Sequence, residues 1–254
     1  EVLLFLAVLP SILLGNYIYK MDKLEKEPKN LLTKLFLLGV GAALITIIIS
    51  TLLAIVFPIL NNENSTNYIE LFIAIFIGVA FIEEFFKWFF LRIVTWNNKE
   101  FNHIYDAIVY AVFVSLGFAT FENLLYVFSG GIWVALIRAV LSVPGHVFDG
   151  IFMGYFYGIS KQAQIDQDFT KKKVNMFLSL LVPILLHGLF DYLLYIGSLL
   201  ALGIYIIFLY IFSFKIVKNV SAIMENMKAY YCMTCGFLCK SNYCPKCGSK
   251  TNFK

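Results

Sequence analysis

From residue 35 to residue 60 the chain carries no charged side chain. A helix of roughly 20 apolar residues crosses the hydrocarbon core of a bilayer. Lipid offers the backbone no hydrogen bonds, so a spanning segment must be a helix or part of a closed barrel; runs this long are helices. Seven segments qualify, at about 2–19, 31–60, 68–95, 104–128, 132–160, 174–196 and 198–217. Only Gly197 and Ser198 separate the last two, and one kinked segment is the alternative there. Residues 2–19 carry no basic n-region and no small-residue cleavage site, so they read as a span rather than a signal peptide. The expected fold is an all-α polytopic membrane bundle of about seven helices, with a small zinc-ribbon-like domain at the C-terminus. The corresponding boundaries are 1–217 for the membrane domain, 218–229 for a linker and 230–254 for the C-terminal module.

Lysine and arginine placement predicts orientation. Basic residues crowd the loops after the first span (Lys20, Lys23, Lys26, Lys29), the third (Arg92, Lys99) and the fifth (Lys161, Lys171 to Lys173), and the tail after the seventh (Lys215, Lys218, Lys228). The intervening loops carry none. This pattern places the N-terminus outside and the C-terminus in the cytoplasm. The net charge of +4 comes mostly from these loops, so no nucleic-acid partner is expected.

Against this apolar background the buried ionisable residues stand out, and each is a functional-site hypothesis because charge in the bilayer is costly. Glu83 and Glu84 are adjacent, and Lys87 follows one turn later on the same broad face. Two carboxyls in a low-dielectric site do not both ionise easily, which suits a general base or acid. The plainer reading is a buried ion pair beside one protonated acid. His187 and Asp191 are an i, i+4 pair, the geometry in which a carboxylate fixes an imidazole tautomer. Pro183, one turn earlier, can open that helix. His146 follows Pro144 and Gly145, where a helix break is expected. It shares a face with Gly150, Gly154 and Gly158, whose spacing lets another helix approach closely. Asp149 is a secondary candidate. Glu122 lies nearer the outer surface, level with Arg138, and the two are expected to pair in a structural or positioning role. His103 is assigned to a loop.

The tail is a separate module. Cys232, Cys235, Cys244 and Cys247 form two close pairs, C-x2-C-x8-C-x2-C, each followed by a glycine. Four thiols so spaced match a structural zinc site. Two disulfides are the alternative, which a cytoplasmic tail disfavours. Cys239 is spare. The module is read as regulatory or partner-binding, with a cytoplasmic protein as the candidate partner.

Four segments together resemble the PrsW family of bacterial intramembrane proteases: FIEEFFKW (81–88), YDAIVYAVFVSLGFATFENLLY (105–126), RAVLSVPGH (138–146) with the glycine-rich stretch to 158, and PILLHGLFDYLL (183–194). The resemblance covers roughly residues 10–200, and the motifs occur in the family's order. It implies a bacterial cell-membrane peptidase that cleaves a single-pass anti-sigma factor at its extracytoplasmic side, beginning a proteolytic cascade that answers envelope stress. It also implies that Glu83, Glu84, Glu122, His146, His187 and Asp191 match the family's motif positions. The zinc tail departs from the family pattern.

The expected mechanism is peptide hydrolysis by water. Glu83 or Glu84 acts as base, His146 and His187 share the water or stabilise the oxyanion, Asp191 orients His187, and Lys87 keeps one glutamate ionised. Two readings stand beside it. Two histidines and a glutamate are also a zinc ligand set, although H-E-x-x-H is absent and a metal-free route is preferred. Buried acids and histidines also make proton relays in transporters, or the chain is a non-catalytic adaptor.

Overall fold

The computed structural model describes residues 2–228, 232, 234–237, 243–244 and 246–250. Cys239 lies outside the described residues. Among these residues eight α-helices follow one another: α1 (Val2–Met21), α2 (Lys29–Val56), α3 (Tyr68–Ile73), α4 (Ile82–Thr95), α5 (Ile104–Val140), α6 (Ser142–Ile165), α7 (Phe169–Tyr195) and α8 (Leu199–Lys228). A 3-10 turn occupies Pro58–Asn61, and a π-helical segment, Ala74–Phe81, joins α3 to α4 without a break.

Local chemistry sets the boundaries. The α2 helix stops at Phe57 because the residue before a proline is pushed out of helical conformation, here to φ −128° and ψ 78°. The Asn67 side chain accepts from the Ile69 N–H at 3.0 Å and starts α3. The Asp106 carboxylate does the same for α5, accepting from the N–H groups of Asn102 and His103 at 2.9 and 2.6 Å. His103 ends the loop before α5, as assigned, and is half-buried there. Gly197, at φ +70°, ends α7 and separates it from α8, so the last two segments are distinct helices.

Among the described residues, five helical stretches are long and apolar enough to cross a membrane: Val2–Met21, Lys29–Val56, Ile104–Ile165, Phe169–Tyr195 and Leu199–Glu225. The third is a hairpin, since the chain reverses at Gly131 (φ 74°, ψ −160°) and Gly150, Gly154 and Gly158 then pack against Val112, Ala107 and Ile104 in descending order. With the composite helix 68–95, about seven crossings result, as expected. The break before His146 falls at Leu141 rather than at Pro144. Pro144 instead lies in the first turn of α6, where its missing N–H removes no intrahelical bond. Pro183 leaves α7 continuous.

The two kinds of loop separate to opposite ends. Lysine-rich ends meet each other, with Lys161 Nζ on the Trp96 carbonyl at 2.7 Å, Ser160 Oγ on the Lys172 carbonyl at 2.8 Å, and Ser221 Oγ on the Met21 carbonyl. At the other end the Tyr195 hydroxyl bonds Glu63. The last of these lysine-end contacts also shows that residues 217–224 continue α8 and pack inward through Val217, Val220, Ser221 and Met224.

Burial is inverted relative to a water-soluble protein. Glu84 and Lys87 are fully buried, while Leu200 is 80% and Ile55 74% exposed, a surface that lipid covers. Two glycines interlock α2 with α5. A Cβ on Gly39 would stand 2.0 Å from the Val114 carbonyl oxygen, and one on Gly117 1.9 Å from that of Phe36.

Candidate active site

Four helices meet around the buried charges. The π-helical segment comes first, because its extra residue per turn re-aims everything that follows. Within it Gly78 packs on the Leu60 carbonyl, and Phe76 fills the space over Gly188 of α7. Glu83, Glu84 and Lys87 then enter from α4, Glu122 and Arg138 from the two limbs of α5, His146 and Asp149 from α6, and His187 and Asp191 from α7.

Lys87 is the hub. Its ammonium donates to Glu84 Oε1 at 2.7 Å and to His146 Nδ1 at 3.1 Å, lies 3.7 Å from Glu83 Oε2, and sits 4.1 Å from the centre of the Phe118 ring. An ammonium only donates, so His146 Nδ1 is the acceptor and its Nε2–H points to Glu122 Oε2, 2.8 Å away. Arg138 completes that branch, reaching Glu122 Oε2 at 2.8 Å through Nη2 and Asn123 Oδ1 at 3.0 Å through Nε. Glu122 and Arg138 pair as expected. Glu122 also bonds the histidine directly, so it belongs to the same network rather than to a separate outer layer.

His187 lies between carboxylates. Nδ1 is 2.8 Å from Glu84 Oε1 and 4.0 Å from Asp149 Oδ2, and Nε2 is 3.2 Å from Asp191 Oδ2 and 3.9 Å from Glu83 Oε2. Carboxylates accept only, so these contacts need a doubly protonated imidazole or one protonated carboxyl. Either way the cluster holds a proton to exchange. The two imidazole rings stand edge to face, with centres 5.4 Å apart.

The glutamate doublet is asymmetric. Glu84 is sealed and bonded to both Lys87 and His187, whereas Glu83 lines a cavity of about 610 Å³ together with Glu122, Arg138, His146, Asp149, His187 and Asp191. At roughly 30 Å³ per water this space holds several. The lining runs on to Asn61, Glu63 and Tyr195 at the lysine-free end of the bundle. Glu83 Oε2 has no hydrogen-bond partner.

Asn123 is a component that sequence reasoning missed. It is fully buried, and its Nδ2 donates to the Ala7 carbonyl at 2.8 Å while Oδ1 receives Arg138. Its place beside Glu122 in an apolar run was the available signal.

The polar core also offers metal donors. Glu84, His146, Asp149 and His187 each present an oxygen or nitrogen within 4.8 Å of the others. Two imidazoles and two carboxylates are a donor class that catalytic zinc takes, and Glu84 Oε2 lacks a hydrogen-bond partner, so the residues fit such an ion by chemistry. Lys87 stands at bonding distance from two of the four.

In the tail the four thiols lie within 4.8 Å of one another and form no disulfide. The two halves repeat one geometry. The N–H of Gly236 bonds the Cys232 carbonyl at 2.8 Å and that of Gly248 the Cys244 carbonyl at 2.9 Å, with both glycines at positive φ. Sulfur separations of 3.4 and 3.6 Å across the halves approach the ~3.8 Å edge of a tetrahedron with 2.3 Å zinc–sulfur bonds. The cluster therefore fits a structural zinc.

A family model described as PrsW family intramembrane metalloprotease matches residues 27–217. The Protease PrsW of Oceanobacillus iheyensis is 40% identical over 187 residues, covering 74% of this chain and 80% of that protein. That of Bacillus subtilis is 37% identical over 193 residues, covering 74% and 80%. That of Clostridioides difficile is 35% identical over 215 residues, covering 82% and 87%. No solved structure matches.

Proposed function

The chain belongs to the PrsW family of intramembrane proteases, and on that premise we propose that it hydrolyses a peptide bond of a membrane-anchored protein with water activated by Glu83. The observation that supports this assignment is the asymmetry of the doublet: the Glu83 side chain lines the cavity and is 12% exposed, whereas Glu84 is fully buried and does not line it. Glu83 takes the proton of water and returns it to the leaving amine. Glu84 holds Lys87 and His187 in register. Asp191 orients His187, His146 ties Lys87 to Glu122 through its two ring nitrogens, and the remaining N–H groups of Arg138, which lines the cavity, stabilise the developing oxyanion. A helical peptide bond is shielded by its own hydrogen bonds, so the substrate must unwind to reach the cavity.

The substrate we propose is a single-pass anti-sigma factor. Lysine bias assigns the basic loops to the cytoplasm, which turns the cavity's Glu63 and Tyr195 end outward. That direction agrees with extracytoplasmic cleavage. The test is co-expression with candidate single-pass anti-sigma factors, followed on a blot, comparing wild type with Glu83→Gln and His187→Ala at matched abundance. Cleavage that persists in both variants sinks the assignment.

A second reading rests on the four clustered donors. An ion held by Glu84, His146, Asp149 and His187 would, when bound, acidify water and polarise the scissile carbonyl. Zinc per chain, measured on the full protein, separates the readings. The metal-free route expects one zinc, lost in Cys232→Ser/Cys235→Ser; two zincs, one surviving that change, would establish a metal in the core.

A further inference from the structure

A second cluster of buried acids lies at the opposite, lysine-rich end, outside the site described above. Asp22 and Glu27 come from the loop between α1 and α2, and Asp106 from the first turn of α5. They are 2%, 3% and 1% exposed, and one carboxylate oxygen from each lies within 4.8 Å of the other two. Three carboxyls this close repel one another unless a cation or protons intervene. The neighbouring cation, Lys26, has its charge near Asp22, but it directs its ammonium to the carbonyl oxygens of Tyr19, Lys20 and Asp22 at 2.6, 3.2 and 2.5 Å.

Each carboxyl has one oxygen committed elsewhere. Asp106 Oδ2 caps α5, Glu27 Oε2 accepts from the Tyr110 hydroxyl, and the backbone N–H groups of Leu24 and Glu25 point at Asp22. The other Asp22 oxygen, Oδ2, is sealed from solvent and has no hydrogen-bond partner. A buried carboxylate oxygen left bare is costly in any folded protein.

We propose that Asp22, Glu27 and Asp106 bind a hard divalent cation, such as Ca2+ or Mg2+, which clamps the α1–α2 loop onto the start of α5. The donor set is all oxygen, which selects a hard ion over zinc or copper. Ligand oxygens 2.3–2.6 Å from a Ca2+ lie up to about 5 Å apart, which the observed spread satisfies. The α5 helix also carries Glu122, Asn123 and Arg138, so the clamp would hold one wall of the active-site cavity.

The test is thermal unfolding of the full-length protein in detergent, in EDTA and in excess Ca2+ or Mg2+, for wild type, Asp22→Asn, Glu27→Gln and, as a control, Glu84→Gln/His187→Ala. Saturating cation should raise the wild-type midpoint by roughly 5–10 °C for a chain of this size. Asp22→Asn and Glu27→Gln should lose that increment, while the control keeps it. In EDTA, Asp22→Asn should be at least as stable as wild type, because it takes the charge off a sealed carboxylate oxygen that has no hydrogen-bond partner. A wild type indifferent to both ions overturns the proposal. So does an increment that survives in the acid variants, or one that disappears only in the control. The readout is stability, so it stands or falls independently of the protease mechanism.

Discussion

Glu83 and Glu84 are adjacent, yet their removal should give opposite phenotypes. In Glu84→Gln the fully buried Lys87 loses its 2.7 Å partner and keeps only Glu83 at 3.7 Å and His146 at 3.1 Å. His187 loses its 2.8 Å contact at the same time. Removing one member of a buried ion pair costs about 3–5 kcal/mol because the survivor stays desolvated. That is a large share of the stability of a typical domain, about 5–15 kcal/mol. Glu83→Gln removes a carboxyl whose charged contacts are the longer ones, 3.7 Å to Lys87 and 3.9 Å to His187, and leaves Lys87 its 2.7 Å partner, so the fold should lose much less stability than in Glu84→Gln. The cleavage rate of Glu83→Gln should fall by about 10²–10⁴, the usual contribution of a positioned general base, equivalent to about 3–5.5 kcal/mol of barrier. The assay pairs thermal unfolding in detergent with blot-based cleavage of a co-expressed substrate. A double variant, Glu84→Gln/Lys87→Met, removes the stranded charge and should regain much of the lost stability without regaining activity. If Glu83→Gln cleaves normally, or if it unfolds as readily as Glu84→Gln, the division of labour between the two glutamates is wrong.

Gly39→Ala and Gly117→Ala should each be severe, since a methyl group would meet backbone oxygen at about 2 Å; expect a loss at or above the usual 1–3 kcal/mol for overpacking, seen as reduced abundance, whereas Gly203→Ala, with nothing within 4 Å, should be silent. Arg138→Met should leave Glu122 bonded to His146 alone and lower the cleavage rate more than it lowers stability, checked by the same paired assays. Burial pushes Asp22 up to about 6, and burial together with the Asp106 charge pushes Glu27 up to about 9. Both groups then bind protons more tightly folded than unfolded, so stability in EDTA should be greatest near pH 4–5 and decline as pH rises toward 9; an unfolding midpoint that climbs across that range contradicts the assignment. Zinc removal with a zinc-selective chelator, in the presence of excess Ca2+ or Mg2+, should abolish the metal signal of the tail without lowering the midpoint of the membrane bundle.

Much of this protein is legible in one dimension. Helix lengths follow from the bilayer's thickness, so the spans appear as apolar runs. The alternation of lysine-rich and lysine-free loops appears as paired ends of the bundle. Glu83, Glu84, His146 and His187 declare themselves because ionisable groups in such runs are rare, and the cysteine pairs because their spacing is that of a metal knuckle. Helical periodicity even predicts the glycine face of α6, since i, i+4 neighbours share a stripe whatever lies opposite. What lies opposite is the part only the tertiary structure decides. Lys87 and His146 are 59 residues apart, His187 and Glu84 103, and no local pattern states which helices will touch. Adjacent residues such as Glu83 and Glu84 differ by about 100° around the helix, and only packing, set partly by the π-helical turn before them, determines which of the two meets the cavity. The same holds for Gly39 against Gly117 and for the acids at positions 22, 27 and 106. In the sequence those acids are scattered among loop lysines, and three helices must come together before their charges face one another.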